Sequence, residues 1–352
     1  MIPRTRLLRQ APDWQGELAQ VITDPAELLA MLELDPELLP AARRAAGEFA
    51  LRVPRGFVAR MRKGDAHDPL LRQVLPLVAE CEAAPGFGDD PVGDRAAMTV
   101  PGVLHKYAGR ALLTVTGACA VHCRYCFRRH FPYADANPAA GQWREALEYL
   151  RADGSIHEAI LSGGDPLTLS DRRLGEFVTQ LAGIPHIERL RIHTRLPVVL
   201  PERVTVELLD WLGATRLKPI LVVHANHAQE IDDTVRAALL RLREAGVTLL
   251  NQSVLLRGVN DSAEALTELS LALFDAGALP YYLHALDRVR GAAHFEVDEA
   301  ATCVIMAELN ARLPGYLVPR LVREVAGAPA KMPFMSKEPL SARTEKQVVS
   351  AD

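Results

Sequence analysis

The sequence predicts an α/β protein in which a helical N-terminal region is followed by strands that alternate with helices. Short runs rich in Val, Ile and Leu recur from residue 110 onward, and amphipathic helical patterns lie between them. No such run interrupts the helical patterns of the first part of the chain. Six alternations of a buried-type strand with a helix are typical of parallel strands joined by helical crossovers, in a barrel or in an open doubly wound sheet.

The N-terminal region, residues 1–100, is predicted to be helical. PAELLAMLEL and PELLPAARRAAGEFALRV carry Leu and Ala at helical spacing, with Asp and Pro at their boundaries. The stretch from Ala83 to Gly102 is rich in Gly, Pro and Asp and is predicted to be an irregular connection. Residues 101–335 then form the predicted barrel-type unit. The polar residues 336–352 are predicted to be a frayed tail.

Six runs are predicted to be the strands of this unit: ALLTVT, EAILSGG, RLRIHTR, KPILVVHA, VTLLNQSVLL and PYYLHAL. Helical patterns between them include QWREALEYLRA, RLGEFVTQLAG, TVRAALLRLREAG and LTELSLALFDAG. A further helix is predicted around Cys303 to Leu313, and one more strand-like run, YLVPRLVREV, follows it. Because ligands bind at the C-terminal ends of parallel strands, the loops after the strands are expected to carry the chemistry.

Composition argues against several classes of partner. The 352 residues include 40 basic and 44 acidic side chains, a formal net charge of -4. Nucleic acids and anionic membranes need clustered excess Lys and Arg, so neither is an expected partner. No window approaches the ~18 to 20 apolar residues of a membrane span, and the N-terminus lacks the apolar stretch of a signal peptide. A cytoplasmic protein is therefore expected.

Three of the five cysteines lie within TGACAVHCRYCFRRHF, just after the first predicted strand of the barrel-type unit. Cys119, Cys123 and Cys126 have the spacing C-x3-C-x2-C, so three thiolates on one loop can hold one face of a metal centre. Soft sulfur ligands favour zinc or an iron-sulfur cluster over hard cations. A structural zinc site needs a fourth ligand, for which His122 and His130 are available, so the spacing leaves both possibilities open.

This loop resembles that of the radical S-adenosylmethionine (radical SAM) superfamily, and Tyr125 within the last gap also fits the pattern. The resemblance implies a partial (β/α)6 TIM-type barrel, a [4Fe-4S] cluster on the three cysteines, and S-adenosylmethionine bound to the fourth iron. The next strand ends in Gly163, Gly164 and Asp165. This segment resembles the glycine-rich cofactor-binding loop of the superfamily, although the same residues in isolation are equally typical of a turn.

A narrower resemblance, to the lysine 2,3-aminomutase family, extends over most of residues 100 to 335. It is carried by PGVLHKYAGRALL, CRYCFRRHF, GGDPL, HANHAQEID, NQSVLLRGVND and PYYLHALD. It implies that Lys331, in the loop AGAPAKMP, forms a Schiff base with pyridoxal 5'-phosphate (PLP). Local sequence alone would favour a solvated surface lysine at this position.

The family resemblance also implies how a substrate is held. Arg128 corresponds to an arginine that pairs with the substrate carboxylate. Asp287 and Glu324 correspond to two carboxylates that hold the distal ammonium of lysine, and Glu324 replaces an aspartate. Without the resemblance, these two acids could simply pair with surface neighbours such as Arg288 or Arg323.

Further positions match residues near PLP or substrate, with less defined roles: Arg110, Lys106 and Gln252. Polar residues after the fourth predicted strand could line the pocket or be satisfied strand-end residues: His224, Asn226 and His227.

The printed sequence has no cysteine after Cys303, so the C-terminal structural zinc site of the catabolic members is not expected. Cys81 and Cys303 are expected to be buried packing residues. The shorter chain, the RRHFPY run and Glu324 together resemble the bacterial branch of the family that makes (R)-β-lysine for modification of elongation factor P.

The sequence thus predicts a radical SAM, PLP-dependent isomerase that converts (S)-α-lysine to (R)-β-lysine. It would depend on an electron-donating reductase and be linked to elongation factor P and its lysyl ligase. The alternatives are an aminomutase for another amino acid, such as glutamate, and a zinc-binding interaction module without enzymatic activity.

Overall fold

The computed structural model describes residues 13–136 and 143–334. The predicted polar tail and the first residues of the chain lie outside these ranges. The α-helices are α1 (Trp14–Ala19), α2 (Pro25–Met31), α3 (Leu39–Glu48), α4 (Arg55–Val58), α5 (Pro69–Arg72), α6 (Tyr133–Ala136), α7 (Trp143–Ala152), α8 (Asp171–Ala182), α9 (Leu196–Val199), α10 (Val206–Ala214), α11 (Asp233–Glu244), α12 (Ala263–Asp275) and α13 (Glu299–Arg312). Short 3-10 turns lie at Pro36–Leu38, Val78–Cys81, Pro166–Thr168, Pro201–Arg203, Ala228–Glu230, Ala293–Phe295 and Gly315–Leu317.

The strands form one sheet whose spatial order follows the chain order. They are β1 (Met98–Val100), β2 (Val103–Tyr107), β3 (Arg110–Thr116), β4 (Glu158–Gly163), β5 (Arg189–Thr194), β6 (Lys218–Val223), β7 (Thr248–Val254), β8 (Leu279–His284), β9 (Arg320–Arg323) and β10 (Met332–Pro333).

Strands β3 to β9 are parallel, and helices connect each one to the next. At the two edges, β1 and β2 form an antiparallel hairpin that continues into β3, and β10 pairs antiparallel with β9. Within the described residues the sheet is therefore an open, partial barrel of six strand-helix units and a seventh parallel strand. The predicted fold class is confirmed, including the strand-like run near residue 320.

The three helices α11, α12 and α13 begin where the sequence provides a capping side chain. The carboxylate of Asp232 accepts a hydrogen bond from Val235 N at the start of α11, and Ser262 Oγ accepts one from Ala265 N at the start of α12. Each cap satisfies one of the backbone N–H groups that a helix leaves unpaired at its N-terminus. These helices cover the outer face of the parallel strands.

The described part of the N-terminal region, from residue 13 onward, is helical as predicted except near its C-terminal end. The stretch from Ala83 to Gly102, expected to be irregular, contains β1, which pairs with β2 through a tight turn. Gly102 has a φ of +79°, a conformation that glycine adopts without steric cost. The proposed boundary at residue 100 therefore falls at the end of the first strand of a hairpin.

One hydrophobic core joins the N-terminal region to the barrel. Buried residues of both parts belong to it, among them Leu28, Phe57 and Leu71 from the first and Leu113 and Leu161 from the second. The N-terminal helices therefore pack against the barrel as part of the same core. No helix in the described residues has both the length and the apolar character that a membrane crossing needs.

The expectation that the two isolated cysteines are buried was wrong, because both are partly exposed. In α13 the buried residues are Thr302, Ile305 and Leu309, which recur at helical spacing. Cys303 lies beside this stripe and therefore only partly enters the core.

Candidate active site

A cavity of about 420 Å³ opens inside the sheet and extends to the C-terminal ends of its parallel strands. All of the residues predicted to bind the cluster, a cofactor or the substrate line this cavity: Arg110, Cys119, Cys123, Cys126, Arg128, Gly163, Gly164, Asp165, Gln252, Asp287, Glu324 and Lys331. Lys106 and His224 also line it. Residues separated by more than 200 positions in the chain are thus brought to one site.

The three cysteines of the C-x3-C-x2-C loop follow β3 and lie at one end of the cavity. Burial raises the pKa of the Cys119 thiol, and burial together with the nearby Cys123 raises that of Cys126 to about 11. Without a metal these two thiols are therefore protonated at neutral pH. Such a set of soft ligands fits a centre that itself stabilises the thiolate form.

The arrangement does not favour the zinc alternative. In the described part of the chain, no three His, Cys, Asp or Glu side chains converge on a position for a single metal ion. The two histidines considered as fourth ligands have other partners: His122 Nδ1 lies 2.8 Å from Ala50 O, and His130 Nε2 lies 3.2 Å from Arg290 O. Ligands of an iron-sulfur cluster each bind a different iron, so they need not converge on one point.

Gly163 and Gly164 bring the loop after β4 into direct contact with the cysteine loop. Gly163 has a φ of +122°, and a Cβ there would lie 2.3 Å from Thr116 O. A Cβ on Gly164 would lie 2.2 Å from Ala118 O. Because both contacts are with backbone, any side chain would force the two loops apart. The glycines are thus required by this close loop contact, whatever ligand also approaches them.

Asp165 belongs to the same loop, but its carboxylate faces the end of β5. It accepts hydrogen bonds from Thr194 Oγ1 (2.7 Å), Arg195 N (2.7 Å) and Leu196 N (3.1 Å), as well as from Leu167 N in its own turn (3.0 Å). These bonds occupy both carboxylate oxygens. These bonds give the side chain of Asp165 a loop-positioning role, and the predicted contact of this segment with a cofactor stays a prediction.

A chain of alternating charges also lines the cavity. Lys331 Nζ donates to Glu324 Oε2 (2.7 Å), and Lys106 Nζ donates to Glu324 Oε1 (2.8 Å). Lys106 also pairs with Asp94, whose Oδ2 accepts from Arg128 Nε (2.7 Å). Lys331 and Arg128, predicted to hold PLP and the substrate carboxylate, are therefore linked through three intervening charged groups.

These contacts fix the charge state of the chain. Burial alone would raise the pKa of Glu324, but the positive charges of Lys331 and Lys106 lower it to about 2. Burial opposes the charge on Lys106 too, yet Asp94 and Glu324 hold its pKa above the ordinary value. Glu324 is thus an ionised partner of two lysines. The surface-pairing alternative for Glu324 is wrong, because Arg323 pairs with Glu299. The predicted contact of Glu324 with a substrate ammonium stays a prediction.

Asp287 is the acidic group of the cavity that lacks such a partner. Its carboxylate makes no ion pair or hydrogen bond with any side chain in the described residues, and its neighbour Arg288 pairs with Glu296. Burial, and then the negative charge of Glu324, raise the pKa of Asp287 to about 7. A cation bound beside Asp287 would relieve both effects.

Arg128 is buried and held from two directions. Besides the bond to Asp94, its Nη1 donates to Ser162 Oγ at 3.1 Å, while Nη2 has no partner within the described residues. One edge of the guanidinium thus remains available to an anion in the cavity. Sequence reasoning missed Asp94, which lies in the Gly- and Asp-rich connection where neighbouring acids give no local signal to distinguish it.

The remaining predicted residues occupy different positions. Arg110 lies at the start of β3, with its guanidinium 4.7 Å from the Tyr107 ring centre, and Gln252 lies in β7. Asn226 and His227 do not line the cavity. Asn226 is fully buried, and its Nδ2 donates to Tyr125 Oη (2.7 Å). His227 caps the turn Ala228–Glu230 by accepting from Gln229 N.

The cavity histidines are neutral. Burial, followed by the charge of Arg195, lowers the pKa of His224 to about 3, and burial with Lys331 does the same for His284. His193 was also missed in the sequence, and its Nε2 atom is buried without a hydrogen-bond partner in the described residues. A polar ligand inside the cavity would satisfy that atom.

Comparison with known proteins gives consistent results. Residues 113–269 match the model of the Radical SAM superfamily. The chain is 55% identical to an L-lysine 2,3-aminomutase of Escherichia coli, over 92% of this chain and 94% of that protein. The chain belongs to the lysine 2,3-aminomutase family. It is 46% identical to the Haemophilus influenzae enzyme of the same name (94% and 98%), and 32% identical to that of Clostridium subterminale (96% and 81%).

Lysine 2,3-aminomutase family members are isomerases that carry a radical SAM domain, and this chain is accordingly a radical SAM isomerase. The family uses a [4Fe-4S] cluster, S-adenosylmethionine and PLP. The residues present fit these groups. Cys119, Cys123 and Cys126 offer the thiolates, Lys331 offers the amine, and the unsatisfied His193 Nε2 needs a polar ligand.

Proposed function

We propose that the protein converts (S)-α-lysine to (R)-β-lysine, with the three predicted cysteines holding the cluster and Lys331 holding PLP. The observation that carries this proposal is the unpaired carboxylate of Asp287 in a cavity that also contains Arg128 and Lys331. The carboxylate of Asp287 can bind a distal ammonium, and the free edge of Arg128 can bind an α-carboxylate, so the two together match a small amino acid with an ammonium at its far end. The amine of Lys331 can bind PLP.

The chain's own residues would orient this substrate from both ends. The free Nη2 edge of Arg128 would bind the α-carboxylate, and Asp287 would bind the ε-ammonium. Asp94 and Ser162 fix the orientation of Arg128, so the carboxylate would meet a positioned donor.

The bound cofactors supply the chemistry that no side chain here offers, namely a radical that removes a hydrogen atom and a conjugated ring that spreads the unpaired electron. Glu324 holds Lys331 and Lys106 in place. The neutral histidines, His224 and His284, add no competing positive charge beside the substrate. Enclosure within the sheet excludes water from the reacting atoms.

An experiment with isotopically labelled lysine under anaerobic conditions tests the reaction. Reconstituted wild-type protein is expected to form (R)-β-lysine, and Lys331→Ala is expected to form none and to lose the visible absorbance of bound PLP. Lys63→Ala is a suitable control, because Lys63 is an exposed lysine that pairs with Glu33. Product formation by Lys331→Ala at the wild-type rate would contradict the proposal.

The alternative substrate is another amino acid, and the charges of the cavity favour lysine over glutamate. The distal carboxylate of glutamate would lie beside Asp287 and near Glu324. Neighbouring groups of like charge repel each other strongly in a buried site. The test is competition: excess glutamate should leave the rate of lysine conversion unchanged. Inhibition by glutamate, or its conversion, would contradict lysine as the substrate.

We further propose that the β-lysine is used to modify elongation factor P through its lysyl ligase, and that a separate reductase supplies the electron. This rests on the resemblance of the RRHFPY run and Glu324 to that branch of the family. Cells that lack this protein should contain elongation factor P without the added lysyl mass. Supply of (R)-β-lysine to those cells should restore it, whereas supply of α-lysine should not.

A further inference from the structure

A buried arginine from another strand lies against the cysteine loop. Arg195 follows β5, and its side chain is 6% exposed. Its Nη1 lies 2.7 Å from Cys123 Sγ and 2.9 Å from Tyr125 Oη. Of the three cysteines in the loop, Cys123 is thus the one with a cationic hydrogen-bond donor on its sulfur. The predicted roles of the cavity residues make no use of this contact.

The other edge of the same guanidinium is fixed by a buried carboxylate. Arg195 Nη2 donates to Glu230 Oε2 (3.0 Å) and to Gln73 Oε1 (2.6 Å). The side chain of Glu230 is fully buried and also accepts from Gln73 Nε2 (3.0 Å) and Asn226 N (2.8 Å). Arg195 is therefore held rigidly between a ligand sulfur and a counter-charge.

We propose that Arg195 raises the reduction potential of the cluster through Cys123, and that Glu230 limits this effect by balancing the charge of Arg195. The proposal rests on the assignment of Cys123 as a cluster ligand. Reduction transfers one electron from an external low-potential donor to the oxidised cluster, which becomes one charge unit more negative. A cation and N–H donor on a ligand sulfur stabilises the more negative state.

The two members of this pair predict shifts of opposite sign. Arg195→Gln removes the cation, so the midpoint potential should become more negative. Glu230→Gln keeps the shape and the hydrogen-bond capacity but leaves the charge of Arg195 unbalanced, so the potential should become less negative. Each shift should change the reduction equilibrium by at least about tenfold, which is about 59 mV for a one-electron couple.

The measurement is a dithionite titration of anaerobically reconstituted full-length protein, with the reduced cluster followed by electron paramagnetic resonance. Arg203→Gln is the matched control, because Arg203 is also a fully buried arginine that pairs with a carboxylate, Asp171, but it has no bond to a cysteine. This control should lower the stability of the protein without moving the potential.

Shifts of the same sign in Arg195→Gln and Glu230→Gln, or no shift in either, would overturn the proposal and leave a purely structural role. If Arg195→Gln does not retain iron, Arg195→Lys replaces it. That variant keeps a positive charge but loses the planar fork, and its potential should fall in the same direction by a smaller amount. Cys123→Ala tests separately whether Cys123 is a cluster ligand. Retention of a complete cluster in this variant would refute that assignment.

Discussion

The two ends of the cavity differ in how their charges are balanced. At the cysteine end, buried cations have buried partners: Arg124 pairs with Glu80, and Arg195 pairs with Glu230. At the lysine end, the charged groups form a chain that leaves the carboxylate of Asp287 without a partner in the described residues. The buried cations of the first end are paired within the fold, whereas a bound cation would supply the partner that Asp287 lacks at the second end.

This difference fits the proposed occupants of the two ends. A cluster ligated by the three cysteines would stay in place through every turnover, so the groups around it would gain from fixed, fully paired contacts. A substrate must enter and leave, and its charge can supply the missing partner of Asp287 during its stay. Unbalanced charge in a buried cavity is therefore consistent with a binding position.

Breaking the pairing at the cysteine end should have the largest effect. Glu80 accepts from Arg124 Nε at 2.8 Å and from Arg129 Nη2 at 2.9 Å, so Glu80→Ala leaves two buried arginines without their counter-charge. We expect the free energy of unfolding to fall by about 3–5 kcal/mol. Anaerobic urea unfolding measures this as a lower midpoint.

The exposed pair of Arg172 and Glu176 provides the control for that measurement, since these side chains are 82% and 60% exposed. Glu176→Ala should cost about 0–1 kcal/mol. Equal losses in Glu80→Ala and Glu176→Ala would contradict the view that the cysteine end depends on buried pairing.

Asp287 at the lysine end should control substrate binding and its pH dependence. Its pKa of about 7 predicts that kcat/KM for lysine falls as the pH drops below about 7, because the protonated carboxyl no longer attracts an ammonium. Asp287→Asn should lower kcat/KM at least about 30-fold, as expected for loss of a buried charge partner, and should remove this pH dependence. The measurement is a pH profile of kcat/KM for both proteins.

The same group also predicts a stability effect of defined sign. The folded protein binds the Asp287 proton more tightly than the unfolded chain, whose carboxyl has a pKa near 3.8. Stability of the ligand-free protein should therefore fall as the pH rises from about 4 through about 7. Asp287→Asn lacks this contribution and should be more stable than wild type above pH 7; a lower stability there would contradict the assignment of Asp287 as an unpaired buried acid.

The smallest effect is expected where the charge chain is altered but not broken. Asp94→Asn keeps a hydrogen-bond acceptor for Arg128 but removes the negative charge, so KM for lysine should rise about tenfold with little change in kcat. Asp89→Asn in the same connection is the control, because Asp89 pairs with Arg290 at the surface. A loss of kcat with an unchanged KM would indicate that Asp94 does not position Arg128 for binding of the substrate carboxylate.

The local sequence pattern was sufficient to predict those elements of the fold that are determined by residues close together in the chain. Hydrophobic runs and amphipathic periods predicted the parallel strands and their helices, and cysteine spacing predicted a metal-binding loop. Local pattern was misleading between Ala83 and Gly102, where a strand three residues long pairs only because β2 lies beside it. Strands this short are stabilised by their partner and have little signal of their own.

The candidate site divides in the same way. Motif resemblance predicted the cysteines, Arg128, Asp287 and Lys331 as cavity residues. It predicted that Glu324 binds a substrate ammonium, but it gave no indication that Glu324 pairs with Lys106 and Lys331. Asp94, Arg195 and Glu80 had no motif, since their importance lies in contacts and not in spacing.

The sequence by itself determined the order of strands and helices, the spacing of the cysteine loop and the family resemblance. Only the tertiary structure decided which charges are paired and which remain open to a ligand. Lys106 meets Glu324 across 218 residues of chain, and Arg195 meets Gln73 across 122. The strength of such contacts depends on the distance between the charges and on their burial, and both are set by the packing of the folded chain.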